Sequence, residues 1–318
     1  MINNIEKIVA DHNEKILDKW SSYLDVYEKE FEIYKDKHIN ILEIGVSKGG
    51  SLELWAKYFP NAKNIIGIDI DTNCRKIKYA DDRIKIYIGD ANDPDIINKI
   101  INKYENFTII IDDGSHDSAD IIKSFFKWFP FLDNQGVYLA EDLHCSYFYD
   151  FHGGIDYEFS SINFFKRLVD VINFEFTNYE NREDIIRRFK EHYNTSINNN
   201  ELTYIKNIKF YNSICVINKN ASNINKIGQR ITKGKGVNKV DSAINSLNLK
   251  QYKELSSHIE NKSNIESKIQ EIIILKGQLE LCNKKLCDLH NSRSFRLFQT
   301  LKKITGYNYI IKILKREH

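Results

Sequence analysis

Carboxylates gathered at two apparent strand ends dominate the chemistry of this sequence. Asp112-Asp113-Gly114-Ser115-His116 follows the apolar run Phe107-Thr108-Ile109-Ile110-Ile111. Glu141-Asp142, 25 positions beyond His116, follows Gly136-Val137-Tyr138-Leu139-Ala140. Short apolar runs bounded by turn residues read as buried strands. If the two strands are parallel neighbours, four carboxylates and an imidazole meet at one edge of a sheet. Open α/β sheets bind ligands at the carboxyl ends of their strands. Carboxylates crowded there repel one another unless a cation lies among them, and hard carboxylate oxygens suit Mg²⁺, Ca²⁺ or Mn²⁺ rather than zinc. The competing reading is that Asp and Ser only cap the helices that follow the strands.

A second constellation lies upstream. Asn40-Ile41-Leu42-Glu43-Ile44-Gly45-Val46-Ser47-Lys48-Gly49-Gly50-Ser51-Leu52 reads as strand, glycine turn and helix, and Asn64-Ile65-Ile66-Gly67-Ile68-Asp69-Ile70-Asp71 as a further buried strand ending in acid. Glycines let the backbone approach a ligand, and an acid at the second strand end suits ribose hydroxyls. A dinucleotide site needs G-x-G-x-x-G and a pyrophosphate on the helix N-terminus. Here Glu43 precedes the first glycine and would repel a pyrophosphate. It would welcome the cationic amino-acid end of S-adenosylmethionine, directly or through water. A third strand end, Ile86-Tyr87-Ile88-Gly89-Asp90-Ala91, adds another acid. The expected contacts are Glu43, Gly45 and Ser51 on the methionine portion, Asp69 on the ribose and Asp90 near the adenine. Asp112 either reaches the cofactor amine or only orients its turn.

With these strings in place, residues 19–218 resemble the metal-dependent sugar O-methyltransferases of macrolide pathways, the mycinamicin and macrocin enzymes. They are also similar to relatives in bacterial surface-polysaccharide clusters. The matching strings are Leu42-Glu43-Ile44-Gly45-Val46 with Gly49-Gly50-Ser51-Leu52, Gly67-Ile68-Asp69, Gly89-Asp90, Ile111-Asp112-Asp113-Gly114-Ser115-His116, and Glu141-Asp142 with Ser146-Tyr147. The resemblance implies an α/β fold with a Rossmann-like class I methyltransferase sheet and flanking helices. It implies S-adenosyl-L-methionine and Mg²⁺, or another hard divalent cation, as cofactors. It also implies Asp113, Glu141 and Asp142 as metal ligands, and His116 as general base. Two departures stand out. Ser47 takes the place of the middle glycine of the common cofactor motif, and His144-Cys145 interrupt the acidic pair and Ser146-Tyr147. The resemblance implies an extra N-terminal domain in the macrolide enzymes that is not expected here, so their assembly and acceptor are not expected to carry over.

The surrounding elements must hold these groups. Ile5, Ile8 and Val9, then Tyr23, Tyr27 and Phe31, fall at helical spacing, so residues 3–37 read as helical; the tyrosines either cover the cofactor or form a core face. Strand and helix signals alternate from Asn40 to about Phe131, the βαβ pattern. Residues 143–160, rich in Tyr, Phe, His and Gly, read as the acceptor-side loop. Residues 161–206 read as largely helical, and residues 208–217 as a closing hairpin or last strand.

Charge divides the chain. Residues 219–318 carry 20 Lys or Arg against 8 Asp or Glu, a surplus of +12, and residues 1–218 carry 26 against 36, a balance of −10. An acidic catalytic half is a poor partner for nucleic acid, whose affinity rests on phosphate contacts. The expected organisation is a methyltransferase domain over 1–218, a polar linker over 219–248, a helical or coiled-coil segment over 249–291 and a basic amphipathic tail over 292–318. Ile265, Ile272, Leu279 and Leu286 recur every seven residues, with Leu275, Cys282 and Leu289 offset by three. That spacing suits self-association through a coiled coil, or an amphipathic helix packed on the domain. Arg293 to His318 holds seven basic residues and one acid among aromatic and aliphatic side chains. This mixture suits peripheral contact with an anionic membrane or with glycan-assembly proteins, or a solvated helical end. Five cysteines without zinc spacing, and no apolar run near the ~20 residues of a membrane span, point to the cytoplasm, with the inner face of the membrane as a peripheral location.

The expected activity is methylation of a sugar hydroxyl on a glycan precursor or glycosylated metabolite. Three alternatives stand beside it. A phenol or catechol could be the acceptor. A hydroxylase is another, although the two-His-one-carboxylate iron set is not evident. A non-catalytic adaptor would not need the acids or His116.

Overall fold

The computed structural model describes residues 4–221 together with 226, 227, 231, 233 and 234. The expected coiled-coil segment and basic tail, and most of the expected linker, lie outside the described residues. The described chain forms a seven-stranded sheet in the order β3-β2-β1-β4-β5-β7-β6. The strands are β1 (Asn40–Ile44), β2 (Asn64–Asp69), β3 (Ile84–Ile88), β4 (Phe107–Asp112), β5 (Leu132–Ala140), β6 (Ile205–Tyr211) and β7 (Ile214–Lys219). The first five are parallel; β6 and β7 form an antiparallel hairpin whose β7 pairs with β5. The α/β sheet, its flanking helices and the closing hairpin agree with the sequence reading.

Strand order reverses beside β1, which sends the chain to β2 and β3 on one side and to β4 and β5 on the other. Such a switch point opens a crevice at the carboxyl ends of the strands. The strands that frame it are apolar on both sides because each face is covered. Alternation decides which face each side chain joins. Ile110 and Tyr138 pack among α4 (Pro94–Tyr104), α5 (Ser118–Trp128) and α6 (Ser161–Ile172). Ile109, Ile111, Val137 and Leu139 pack among α1 (Asn4–Ala10), α2 (Ser21–Phe31) and α3 (Gly50–Tyr58). Asp93 and Asp117 start α4 and α5 by accepting the N–H groups of Asp95 and Ala119, so part of the acidic content does cap helices.

Residues 3–37 are not one helical stretch. After α1 the backbone runs without regular structure over 11–20 and resumes as α2 at Ser21. The break has a tertiary cause. The Gly50 N–H donates to the Ile16 carbonyl at 3.2 Å, and Lys15 donates its backbone N–H to Glu53 at 3.1 Å, which ties the segment to the start of α3. A Cβ on Gly50 would lie 2.4 Å from the Ile16 oxygen, so only glycine permits this approach.

Candidate functional site

The ladder continues beyond the strand ends and fixes the acidic residues in space. The Asp113 N–H donates to Ile44 O at 2.9 Å, Glu141 N–H to Asp112 O at 2.9 Å, and Gly45 N–H to Ile68 O at 2.8 Å. Asp112 pairs in register with Ile44 on one side and Ala140 on the other. The next residues, Gly45, Asp113 and Glu141, therefore emerge side by side. Gly45 has φ +96°, and a Cβ there would stand 2.0 Å from Asp113 O. The bend that brings β1 against β4 thus needs glycine.

Pleating separates the two aspartates. Asp112 shares the face of Tyr138, whose hydroxyl donates to it at 3.0 Å. Burial pushes the Asp112 carboxyl up to about 7. Asp113 shares the opposite face with Glu141 and Glu43. There the Lys19 ammonium, its side chain 4% exposed, contacts Asp113, lies 2.8 Å from Glu141 and 3.7 Å from Glu43. Burial opposes the charge on Lys19, yet the carboxylates outweigh it and hold the ammonium well above its usual range. One ammonium cannot balance three carboxylates. Burial lifts Glu141 to about 8 and Glu43 to about 7 despite the pull of Lys19.

A tighter group lies alongside. Asp113, His116 and Asp142 each offer one ligand atom within 4.8 Å of the others. His116 Nε2 is 3.5 Å from Asp142 Oδ2, and its Nδ1 is buried without a hydrogen-bond partner among the described residues. Asp142 Oδ1 accepts from Tyr23 Oη at 2.6 Å and from Trp20 Nε1 at 3.1 Å. Both His116 (φ +59°) and Asp142 (φ +51°) hold left-handed backbone that costs a non-glycine residue free energy, and such strain clusters at functional sites. Glu141 is oriented differently from the other acids: its oxygens are taken by Tyr27 Oη at 2.7 Å and by Lys19.

Beside this cluster, a cleft is lined by Gly45, Asp69, Gly89, Asp90, Asp112 and Gly114. Asp69 accepts the N–H groups of Val46, Ser47 and Asp71 at 2.8–2.9 Å. Burial tends to raise its carboxyl, but these donors draw it below the usual range. Ser47, in the position of the expected middle glycine, takes φ +50° with its side chain exposed. Glu43 and Ser51 do not line this cleft. Glu43 is fully buried, accepting from Ser51 Oγ at 2.9 Å and Trp55 Nε1 at 3.1 Å, while its Oε1 faces Lys19 at 3.7 Å and has no hydrogen bond among the described residues.

The structure thus brings Asp113, His116, Asp142, Glu141 and Glu43 to one neighbourhood and Gly45, Asp69, Asp90 and Asp112 to the adjoining cleft. Four participants escaped the sequence reading. Lys19 and Trp20 lie in the irregular segment, Tyr138 holds Asp112, and Ser213 links Tyr23 to His144 through contacts of 2.8 and 2.6 Å. No local pattern marks them; only the excess of carboxylates over nearby cations hints that a lysine must be recruited. Of the two readings for Tyr23 and Tyr27, the structure gives the core face: their rings pack in the core, their hydroxyls donate to Asp142 and Glu141, and neither lines the cleft.

The carboxylates fit a hard divalent cation, because the oxygens of Asp113 and Asp142 are the hard donors that Mg²⁺ or Mn²⁺ prefers, and the local negative charge exceeds what Lys19 supplies.

No protein-family model matches the sequence. Over 163 residues the chain is 35% identical to the 8-demethyl-8-alpha-L-rhamnosyl tetracenomycin-C 2'-O-methyltransferase of Streptomyces olivaceus, covering 48% of this chain and 42% of that protein. Over 156 residues it is 35% identical to the mycinamicin VI 2''-O-methyltransferase of Micromonospora griseorubida, covering 46% and 38%. The chain therefore spans less than half the length of these curated relatives. Among solved structures, the MycE methyltransferase of the mycinamycin biosynthetic pathway, in complex with Mg and SAH, superposes with a TM-score of 0.58 at 25% identity, covering 72% of this chain and 56% of that one. In sequence and in fold this chain is similar to macrolide and other sugar O-methyltransferases.

Proposed function

We propose that this protein is an O-methyltransferase that uses S-adenosylmethionine and a divalent cation to methylate a sugar hydroxyl. The observation that carries the reading is the junction of two sites at Gly45 and Asp113. The cleft lined by Asp69, Asp90 and Asp112 ends where the Asp113–His116–Asp142 group begins. A methyl donor in the cleft and an acceptor hydroxyl at the acids would face each other across that boundary, the proximity on which such transfers depend.

Asp113 and Asp142, with Glu141, would hold the cation, whose charge when bound makes an adjacent hydroxyl more acidic. His116 takes the hydroxyl proton, the role imidazole suits at neutral pH. Tyr23 and Trp20 fix the Asp142 carboxylate, and Tyr138 fixes Asp112. Asp69, locked by three backbone donors, receives the ribose, and Asp90 lies near the adenine. Glu43, which does not line the cleft, keeps one oxygen on Ser51 and the other 3.7 Å from Lys19, so it acts on the amino-acid end of the donor only indirectly. Trp20, 59% exposed, and the loop 143–160 with exposed Phe148 and Tyr149 present apolar surface on the acceptor side.

The acceptor we favour is a sugar on a nucleotide-linked or lipid-linked precursor of a surface glycan. A cytoplasmic protein, held peripherally at an anionic membrane by the +12 charge of residues 219–318 and self-associating through the 265–289 stripe, would meet such a precursor. Among the described residues no helix is long and apolar enough to cross a membrane.

The test is calorimetry and radiolabel transfer with purified protein. S-adenosylmethionine should bind, and label should pass from its methyl group to a sugar acceptor only with a divalent cation present. Binding of NADH instead, or full transfer by metal-free protein, would refute the proposal.

A further inference from the structure

Lys19 lies 94 residues from Asp113 and 122 from Glu141 along the chain, on a segment with no regular structure. Two contacts tie that segment to α3, Lys15 to Glu53 and the Ile16 carbonyl to the Gly50 N–H, and His12 Nε2 meets the Lys15 carbonyl at 2.6 Å within it. They deliver the ammonium to carboxylates from three strands, Glu43 on β1, Asp113 after β4 and Glu141 after β5. Asp113 belongs to two groups at once. It contacts Lys19, and it is one of the three residues whose ligand atoms converge with His116 and Asp142. Glu141 has one oxygen on Tyr27 and the other on Lys19, so it is partly neutralised before any cation arrives.

We propose that Lys19 is a positioning residue that shares Asp113 and Glu141 with the divalent cation and thereby sets the cation affinity of the site. The inference rests on the metal-dependent reading given above. Its physics is simple. Crowded buried carboxylates are costly unless paired, so an internal ammonium lets the cluster form in the absence of metal. The same fixed positive charge, acting through Asp113 in a poorly screened interior, repels a divalent ion and competes for its oxygens. Removing the charge while keeping the stem should therefore tighten cation binding, whereas a lysine with a purely structural role would leave it unchanged or weaken it.

The experiment measures Mg²⁺ and Mn²⁺ affinity of the full chain by calorimetry, for wild type, Lys19→Met and Lys19→Arg, with circular dichroism to confirm the fold. Lys19→Met should bind Mg²⁺ on the order of tenfold tighter or more, and Lys19→Arg, which keeps the charge, should stay within about threefold of wild type. A folded Lys19→Met with unchanged or weaker affinity overturns the proposal while leaving the metal-dependent reading intact. Wild type that binds neither ion overturns both. If Lys19→Met does not fold, wild type alone decides: the Nζ resonance of Lys19, identified by its loss in Lys19→Arg, must move as Mg²⁺ saturates the site. A resonance that stays fixed overturns the proposal.

Discussion

Gly45→Ala is expected to damage the fold and the site together. Gly45 sits at φ +96°, and its immediate surroundings are backbone: an added Cβ would meet Asp113 O at 2.0 Å and Asp113 C at 2.7 Å. Carbon contacts are comfortable near 3.5 Å, so the Asp113 carbonyl must retreat by roughly 1 Å or more. It cannot do so freely, because the Asp113 N–H is bonded to Ile44 O and the Gly45 N–H to Ile68 O. Left-handed backbone at a non-glycine residue costs about 1–3 kcal/mol, and overpacking adds about 1–3 kcal/mol. A loss of about 4 kcal/mol follows, and at ~2–4 °C per kcal/mol for a domain of this size the melting temperature should fall by about 8–16 °C. The displaced Asp113 should also weaken Mg²⁺ binding, and the displaced turn should weaken S-adenosylmethionine binding, each by on the order of tenfold. Thermal unfolding and calorimetry measure all three quantities. A variant that melts within about 2 °C of wild type and binds both ligands normally would show that the approach of β1 to β4 is not the constraint claimed.

Asp113→Asn should abolish cation binding and methyl transfer while retaining S-adenosylmethionine affinity; calorimetry with each ligand separates the two effects. His116→Ala should slow transfer by on the order of 10²–10⁴ with the cation still bound, and loss of cation binding instead would make the imidazole a ligand rather than a base. Burial raises Glu141 from an ordinary 4.5 to about 8 and Asp112 from 3.8 to about 7, so the native state keeps protons that the unfolded chain has already released. Cation-free protein should therefore lose stability as pH rises from about 5 to about 8.5, and Mg²⁺ should offset the loss; melts whose midpoint climbs with pH across that range contradict the assignment. Trp20→Ala removes an exposed ring and the donor to Asp142 Oδ1, and should raise the acceptor KM by about tenfold without changing methyl-donor affinity, as steady-state kinetics would report.

The sheet was legible in the sequence because its strands are short apolar runs that each end in a chemically distinctive residue. Ile109-Ile110-Ile111 must be buried on both faces, and a helix covering each face follows from that alone. Chain position also made the strand-end acids legible: Asp113 and Glu141 stand one residue beyond paired strands, so register places them side by side. The glycine turn was legible for a similarly local reason, since φ +96° at Gly45 is backbone that glycine adopts far more readily than other residues. The division of labour between neighbouring acids was not legible. Asp112 and Asp113 look alike in sequence, and only the pleat sends one to Tyr138 and the other to Lys19. Helical spacing gave the right faces for Ile5, Tyr23, Tyr27 and Phe31, but it could not show that residues 11–20 leave the helix, because the cause is a carbonyl at Ile16 meeting the N–H of Gly50, 34 positions away. Lys19 is the clearest case. Nothing in its flanking residues distinguishes it from an exposed lysine, and its role exists only because three strands converge on it. Periodicity and strand-end chemistry are local and survive in the sequence, whereas a buried countercharge depends on distances that only the folded chain creates.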